Sequence, residues 1–441
     1  MEFVVASSSV DTGIGCWDLV SGAEKLRYRS CASPPHGLLS VSRHFLASSQ
    51  LRENPSSSTA PIFFWSWEKP QVQVRSFPAE FIGPLVSDSD GSYIIGGGSS
   101  GAIYLWEVAS GKLLNKFTAH FRSVTCLTLS NDESLLISGS EDGSVRVWPL
   151  LMIFDDIAKE SGENIYKYSF SEHALRVTSV ISGQGLCNSI VISSSEDRTC
   201  KVWSLSEGRL LRSITFPFII DAIAMDPGEH VFYAGCRDGK IYVAALNAEW
   251  NPARNYGKFI IDSLSDNSKA ITCLAFSTDG VTLVSGSEDG TIRVWNTNTG
   301  QMTRLLKHSK APVSNVLIVR QPTKISQNSL SRKQELLLMA PPLNKYTDSR
   351  EDEVESKAVK ILYQNFNDFD NRTNCAAHVM SSQIKELQQN GSSGAVQMEL
   401  ERLRVERKRS IQMAQQWKKL YNDIQTTFVN ELLSGVNVDG S

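Results

Sequence analysis

The chain has 441 residues, of which 41% are apolar and 21% charged, and its formal net charge is −3. This length is enough for a large core plus an appendage, and the near-neutral charge excludes a global basic field of the kind that supports nucleic-acid binding. The eight cysteines include no C-x-x-C pair, so we expect buried thiols in a reducing compartment and neither a metal nor a cofactor.

The amino terminus and the hydropathy pattern indicate an intracellular protein. The first residues, MEFVVASSSV, carry no basic segment and too short an apolar run for a signal peptide. No stretch reaches the ~18 apolar residues that a membrane span needs. We therefore expect no membrane partner.

Short alternating strands begin at the amino terminus, at 2–6, 13–17 and 25–29, and the second of them ends in a tryptophan. Strands that end in the same phase recur along the chain. Their last residues are Trp17, Trp65, Trp106, Trp148, Trp203, Ala244 and Trp295. A propeller blade of four short strands needs roughly 40–45 residues, which fits this spacing with loops in the longer gaps.

Three of these units contain nearly the same phrase: SGSEDGSVRVW at 138–148, SSSEDRTCKVW at 193–203 and SGSEDGTIRVW at 285–295. Each is an alternating strand, a turn with an Asp, and a second alternating strand. Because such a pair cannot bury an apolar face alone, the recurrence predicts a stacked repeat architecture. The pattern resembles the WD-repeat β-propeller family and predicts an all-β fold, a seven-bladed β-propeller over residues 1–322.

Two units repeat four residue types in one order: a His before the first strand, a Ser on the second, an Asp in the turn and a Trp on the third. These residues are His120, Ser138 or Ser140, Asp142 and Trp148 in the fourth unit, and His173, Ser193 or Ser195, Asp197 and Trp203 in the fifth. The resemblance implies that each set forms one hydrogen-bonded chain. Asp, His and Ser also occur in hydrolase triads, but the order follows the blade repeat, so we predict a structural network and no catalytic residue.

Two units depart from this pattern. The unit that ends at Trp295 has Asp289 in its turn but no His before its first strand, and the unit that ends at Ala244 lacks the Trp. We expect both blades to depend on apolar packing.

The ends of the repeat region predict how the ring closes. The first unit has three strands and lacks an innermost one, whereas the alternating run at 311–322 follows His308 after the last full unit. A strand from the far end would remove an open sheet edge. We predict that 313–320 is the innermost strand of the blade that contains Trp17.

Two segments interrupt or follow the ring. The insertion 149–172 has Leu151, Phe154, Ile157 and Ala158 at helical spacing and predicts a short amphipathic helix on the side of the ring. Residues 323–375 read as a linker, partly disordered and acidic. Within it, the apolar ELLLMAPPL is expected to dock on the propeller, and its two prolines prevent a continuous helix.

The carboxyl-terminal part, 376–433, predicts a helical tail with a coiled-coil segment at 395–433. Its heptad seam includes Leu400, Leu403, Trp417, Tyr421, Ile424 and Phe428. Such a stripe either pairs two copies of the chain, enters a groove of a partner, or folds back onto the ring; we favour a homodimer.

The basic cluster at 402–409 suits a solvated helix face, a nuclear import signal or an RNA contact, and direct RNA contact stays open.

Two motifs mislead. Residues 96–101 satisfy G-x-G-x-x-G, but the strand AIYLW follows instead of the helix that a dinucleotide site requires, so we predict a glycine-rich hairpin. Blade ends of ubiquitin-ligase receptors usually show Trp-Asp-x-Arg, whereas this chain has WPLL, WSLS and WNTN. A substrate adaptor of a cullin-RING ubiquitin ligase therefore remains only the alternative function.

The two ends of the chain carry the sequences EFVVASSSVDTGIGCWDLVSG and WKKLYNDIQTTFVNELL. The whole arrangement resembles the WD-repeat subunit of the rixosome, a family called ROOT INITIATION DEFECTIVE in plants, and the resemblance is most specific at these two ends. The resemblance implies a non-catalytic scaffold in the nucleolus and nucleoplasm that acts in large ribosomal subunit maturation, including pre-rRNA spacer processing. It also implies other rixosome subunits with helical repeats, the pre-60S particle and a midasin-type ATPase as partners.

Overall fold

The computed structural model describes residues 2–41, 45–52, 59–154, 166–184, 189–246, 259–265, 269–320 and 341–346. The strands of these residues form seven four-stranded antiparallel sheets, which are the blades of a β-propeller. The predicted all-β, seven-bladed architecture is confirmed.

The first four blades use the amino-terminal half of the ring and one strand from its far end. Blade 1 contains β1 (Glu2–Ser8), β2 (Ile14–Asp18), β3 (Glu24–Tyr28) and β28 (Val313–Arg320). Blade 2 contains β4 (Leu38–Val41), β5 (Phe45–Ser49), β6 (Ile62–Ser66) and β7 (Val74–Ser76). Blade 3 contains β8 (Ile82–Ser87), β9 (Tyr93–Gly98), β10 (Ala102–Glu107) and β11 (Leu113–Thr118). Blade 4 contains β12 (Val124–Leu129), β13 (Leu135–Ser140), β14 (Val145–Pro149) and β15 (Tyr168–Phe170).

The last three blades each use four consecutive strands. Blade 5 contains β16 (Val177–Ser182), β17 (Ile190–Ser195), β18 (Thr199–Ser204) and β19 (Arg209–Thr215). Blade 6 contains β20 (Ile220–Met225), β21 (Val231–Cys236), β22 (Ile241–Ala245) and β23 (Ile260–Leu264). Blade 7 contains β24 (Ile271–Phe276), β25 (Thr282–Ser287), β26 (Thr291–Asn296) and β27 (Gln301–Lys307).

The closing strand lies where the sequence placed it. β28 pairs antiparallel with β1, with Val4 opposite Ile318 and Ala6 opposite Val316, and β1 pairs with the strand that carries Trp17. The hydroxyl of Ser8 donates to the carbonyl of Pro312 at 2.8 Å. The prediction for 313–320 is therefore confirmed, and the ring is closed by pairing the two ends of the repeat region.

The core lies between blades. Trp65, Trp106, Trp203 and Trp295 are among the largest fully buried side chains. Trp203 of blade 5 stacks on Phe170 of blade 4, with ring centroids 4.3 Å apart. A Trp at the end of the third strand therefore fills the seam with the neighbouring blade, which explains why this position recurs in phase.

The insertion after blade 4 begins with helix α1, Leu150–Phe154. Leu151, expected on its apolar face, is 74% exposed, whereas Ile153 is buried and its carbonyl accepts a bond from Asn115. Phe154 packs edge-on against Tyr93. The helix therefore faces the ring through Ile153 and Phe154, so Phe154 lies where the sequence predicted and Leu151 does not. Ile157 and Ala158 lie outside the described residues.

The linker is described only at 341–346, which we call the strap. It docks on the propeller, and its Leu343 is buried between blades 2 and 3, so the docking expected for this apolar segment is confirmed there. The rest of 323–375 and the segment 376–433, predicted to be a helical tail, lie outside the described residues, and so do Leu400, Leu403, Trp417, Tyr421, Ile424 and Phe428.

The glycine-rich sequence at 96–101 is a hairpin, as predicted, with β9 and β10 paired antiparallel. Within the described part of the chain no helix is long and apolar enough to cross a membrane. The same residues contain no group of three or more His, Cys, Asp or Glu side chains arranged to hold a metal ion.

Candidate functional site

Blade 4 holds the first of the predicted polar networks. The Nε1–H of Trp148 donates to Ser138 Oγ at 2.9 Å, and Ser138 Oγ lies 2.7 Å from His120 Nε2. The other ring nitrogen lies 2.8 Å from Ser144 Oγ, which donates to Asp142 Oδ1 at 2.6 Å. Ser138, not Ser140, is the serine of the network, and Ser144 relays the contact to the Asp.

Blade 5 builds the same chain with a closer contact between the His and the Asp, and the hydroxyl of Thr199 takes the place of Ser144. His173 Nδ1 lies 3.0 Å from Asp197 Oδ2, and its Nε2 lies 2.8 Å from Ser193 Oγ. Trp203 Nε1–H donates to that serine at 2.9 Å. Because the ionised Asp197 carboxylate can only accept, we assign the proton of the neutral imidazole to Nδ1, and Ser193, which accepts the indole proton, donates its own to Nε2.

These serines are poorly placed for nucleophilic chemistry. Ser138 and Ser193 are fully buried, so a substrate carbonyl has no path to either oxygen. Burial would raise the pKa of Asp142, but hydrogen bonds from His120 and Ser144 lower it below its ordinary value. The arrangement fixes an ionised carboxylate and a neutral imidazole inside each blade, as a structural network requires.

Blades 7 and 6 have polar partners in place of the residues that are missing from the pattern. In blade 7 the guanidinium of Arg293, 8% exposed, donates to Asp289 at 3.1 Å, and Trp295 Nε1–H donates to Ser285 at 2.9 Å. In blade 6 the hydroxyl of Tyr242 donates to Asp238 at 2.9 Å. Blades 7 and 6 pack apolar cores as expected, and an Arg or a Tyr on the third strand also satisfies the turn carboxylate.

Replacing Asp197 with Ala should lower the free energy of unfolding by about 1–3 kcal/mol, because the buried His173 and the turn amides lose their acceptor. Urea denaturation monitored by tryptophan fluorescence measures the change. Asp11→Ala, in the exposed second turn of blade 1, is the control and should stay within about 0.5 kcal/mol of the parent. Equal effects of the two substitutions would argue against the network.

The protein should lose stability in acid through its histidines. Burial lowers the pKa of His36, His120, His173 and His308, the last to about 4 with a contribution from Arg27. The folded state therefore binds fewer protons than the unfolded chain, so stability is complete above pH 6.5 and falls below it. We expect His308 alone to account for about 3 kcal/mol between pH 6.5 and 4.

Urea titrations across this pH range measure that loss. His308→Gln, which cannot be protonated, should make the pH dependence shallower by the same amount. A slope identical to that of the parent chain would show that His308 does not contribute.

One face of the ring carries the loops that lead into the first strands, together with the turns between second and third strands. The amide of Phe121, in the loop before β12, donates to Asp142 in such a turn. Three consecutive loops on this face present large exposed apolar side chains, which we call the apolar arc. Its residues are Phe121, 87% exposed, Leu175, 53% exposed, and Phe218, 49% exposed. They precede blades 4, 5 and 6 by two or three residues, so they form a row on neighbouring blades.

Ion pairs tie these three blades together beside the apolar arc. Arg237 of blade 6 donates to Asp221 of the same blade and to Glu196 of blade 5, each at 2.9 Å. Arg176 before blade 5 lies 3.7 Å from Glu141 of blade 4. The loops that present the arc therefore lie beside surface ion pairs that join blades 4, 5 and 6.

A loop of blade 2 closes toward the ring axis at the same face. His36, at φ +57°, places Nε2 3.1 Å from the carbonyl of Thr178 in blade 5. Its own carbonyl accepts from Leu85 of blade 3, and Asn315 of blade 1 donates to Pro34 at 2.8 Å. Three other blades thus hold this loop of blade 2, and blades 2 and 5 lie on opposite sides of the ring.

The repeat pattern of the sequence predicts the polar networks but not the apolar arc. The signal is an alignment of the segments that precede inner strands, HFRSV at 120–124, HALRV at 173–177 and FPFII at 216–220. Each has a large apolar residue two or three positions before the first buried residue of the strand. No periodicity extends through these loops, so only a comparison between blades reveals the row.

Comparisons with known proteins agree with this geometry. The family described as WD domain, G-beta repeat matches residues 111–149, 164–204 and 259–296. The chain is 49% identical to "Protein ROOT INITIATION DEFECTIVE 3" of Arabidopsis thaliana over 98% of its own length and 99% of that protein. It is 33% identical to "WD repeat-containing protein 18" of Homo sapiens, over 73% and 74% of the two chains. It is 27% identical to "Pre-rRNA-processing protein crb3/ipi3" of Schizosaccharomyces pombe, over 56% and 64%.

Proposed function

Because this chain belongs to the WD-repeat family of ROOT INITIATION DEFECTIVE 3, WD repeat-containing protein 18 and the Ipi3 pre-rRNA-processing proteins, we propose that it is a scaffold subunit for large ribosomal subunit maturation. The observation that carries the proposal is similarity to a plant relative along nearly the whole chain, ring and tail alike. The more distant relatives are named for pre-rRNA processing. The proposed work is spacer processing and remodelling of the pre-60S particle, in the nucleolus and nucleoplasm.

The proposed role needs no catalysis. The only His-Ser-Asp constellations that the sequence analysis singled out have fully buried serines. The exposed feature of the same blades is the apolar arc, beside the surface ion pairs. Large exposed apolar residues in a row typify protein-binding surfaces, so we assign the arc to contact with protein partners. The partners that the family resemblance implies are the helical-repeat subunits of the rixosome, the pre-60S particle and a midasin-type ATPase.

Affinity purification from nuclear extract tests this function. The tagged full-length chain should enrich large-subunit precursors and their assembly factors over a tag-only control, as measured by quantitative mass spectrometry. Enrichment of cullin subunits instead would support the alternative, a substrate adaptor of a cullin-RING ubiquitin ligase. Crosslinking of the purified complex would then show which blades contact the partners.

We also propose that the tail segment 395–433 pairs two copies of the chain. Trp417, Tyr421, Ile424 and Phe428 fall on one seam, and a two-stranded coiled coil would bury them. Deletion of 391–441 should halve the mass measured by light scattering and leave the melting temperature of the ring nearly unchanged. Deletion of 434–441 alone, beyond the predicted seam, should keep the dimer. A full-length chain that is monomeric at about 50 μM would contradict the proposal.

A further inference from the structure

The strap lies in a groove between blades 2 and 3. Leu343 is 4% exposed and belongs to an apolar cluster that includes Phe64 of blade 2 and Trp106 and Val108 of blade 3. One side of the groove is β7, and the other is the turn between β10 and β11. A single leucine side chain thus completes a core that two blades share.

The groove also binds the backbone of the strap. The amide of Leu343 donates to Ser76 Oγ at 2.9 Å, and the amide of Asn344 donates to the carbonyl of Gly111 at 2.7 Å. The carbonyl of Asn344 accepts the indole N–H of Trp106 at 2.9 Å. Two consecutive residues therefore make three hydrogen bonds, which fix the direction and register of the bound segment.

Blade 3 is built differently from blades 4, 5 and 7 at this indole. In blades 4, 5 and 7 the corresponding Trp donates to a serine on the second strand of its own blade. Blade 3 has Gly96 at that position, and a Cβ there would lie 3.0 Å from the ring of Trp106. The fully buried Trp106 thus donates to the strap, and leaving its N–H without an acceptor would cost about 1–3 kcal/mol.

Gly111 shapes the other wall. Its φ is +69°, and a Cβ on it would lie 2.5 Å from the carbonyl oxygen of Pro342. Gly300, in the corresponding turn of blade 7, has φ +67°, but a Cβ there would meet only Leu264, at 3.5 Å. Both turns need a glycine for backbone conformation, while only Gly111 also admits a bound segment.

We propose that this groove is a peptide-recognition site for a Pro-Leu-Asn segment, occupied by the chain's own residues 341–346. The site binds the buried side chain of Leu343, the amides of Leu343 and Asn344, and the carbonyl of Asn344. The preceding proline, Pro342, lies against Gly111. The site fixes residues 341–346 at the edge of blades 2 and 3. The proposal is independent of the role in ribosome maturation.

Hydrogen exchange of the full-length chain tests the anchoring. Gly111→Ala should speed exchange of the amides at 343–346 about tenfold or more relative to Gly300→Ala, since the two substitutions impose the same backbone strain but only the first blocks the strap. Equal exchange rates in the two variants would overturn the proposal.

A second variant tests recognition even where Gly111→Ala fails to fold. Full-length Leu343→Asp should melt at a lower temperature than the parent, because its strap cannot enter the apolar cluster. The synthetic peptide PPLNKY, at about 1 mM, should restore part of that loss, whereas PPDNKY should not. Identical melting with either peptide would overturn the proposal.

Discussion

A chain truncated after residue 312 is expected not to form a stable ring. It lacks β28, whose seven paired positions complete blade 1, and it leaves β1 as an open edge that invites aggregation. β28 also joins the neighbouring blades, because its Val313 carbonyl accepts from Thr272 of blade 7 and its Asn315 holds the blade 2 loop at Pro34. Lost burial of Val313 and Val316 and the lost ladder total about 5–10 kcal/mol, comparable with the whole stability of a domain.

Circular dichroism melting and size-exclusion chromatography of purified chains measure this effect. The matched control ends after residue 350, so it keeps both β28 and the strap and should melt cooperatively near the temperature of the full-length chain. If the shorter chain melted cooperatively at the same temperature as the longer one, closure by the far end would not stabilise the ring.

The ring could be predicted because the same strand pattern recurs in the sequence of each blade. Every blade needs an inner strand, and the first unit has none before Val4, so counting strands assigned the run that contains Val316. The choice between Ser138 and Ser140 could not be made from sequence, since both lie on the same face of one strand. Register decides it: Ser138 lies two positions from the residue opposite Trp148, and Ser140 instead bonds the carbonyls at 122 and 123.

The rest of the site could not be predicted because residues of other chemical types take the place of the expected ones. Arg293 and Tyr242 supply donors to the turn carboxylates of blades 7 and 6. Neither residue belongs to the His-Ser-Asp-Trp pattern, so the pattern showed only that its own His or Trp was missing from these blades. The strap shows the same limit. Its apolar character predicted docking, whereas the groove depends on Gly96, whose missing side chain redirects the indole of Trp106.

Truncating the apolar arc should separate partner binding from folding. In Phe121→Ala/Leu175→Ala/Phe218→Ala, we expect recovery of co-purified large-subunit precursors to fall about 100-fold, because truncated aromatic and aliphatic anchors commonly cost 1–2 kcal/mol or more each at an interface. The three side chains are already exposed, so their removal creates no cavity and the melting temperature should change by no more than a few degrees.

The control carries three other exposed apolar residues on the outermost strands of blades 5 and 7. Leu211, Met302 and Leu305 are 44%, 38% and 46% exposed, on β19 and β27. Their replacement by Ala removes apolar surface of the same kind from the outermost strands of the ring. Unchanged recovery with this variant and loss with the arc variant would locate the contact on the loops of blades 4 to 6. Equal recovery with both would show that partners bind elsewhere, and the ion pairs of Arg176 and Arg237 would then serve only to hold neighbouring blades together.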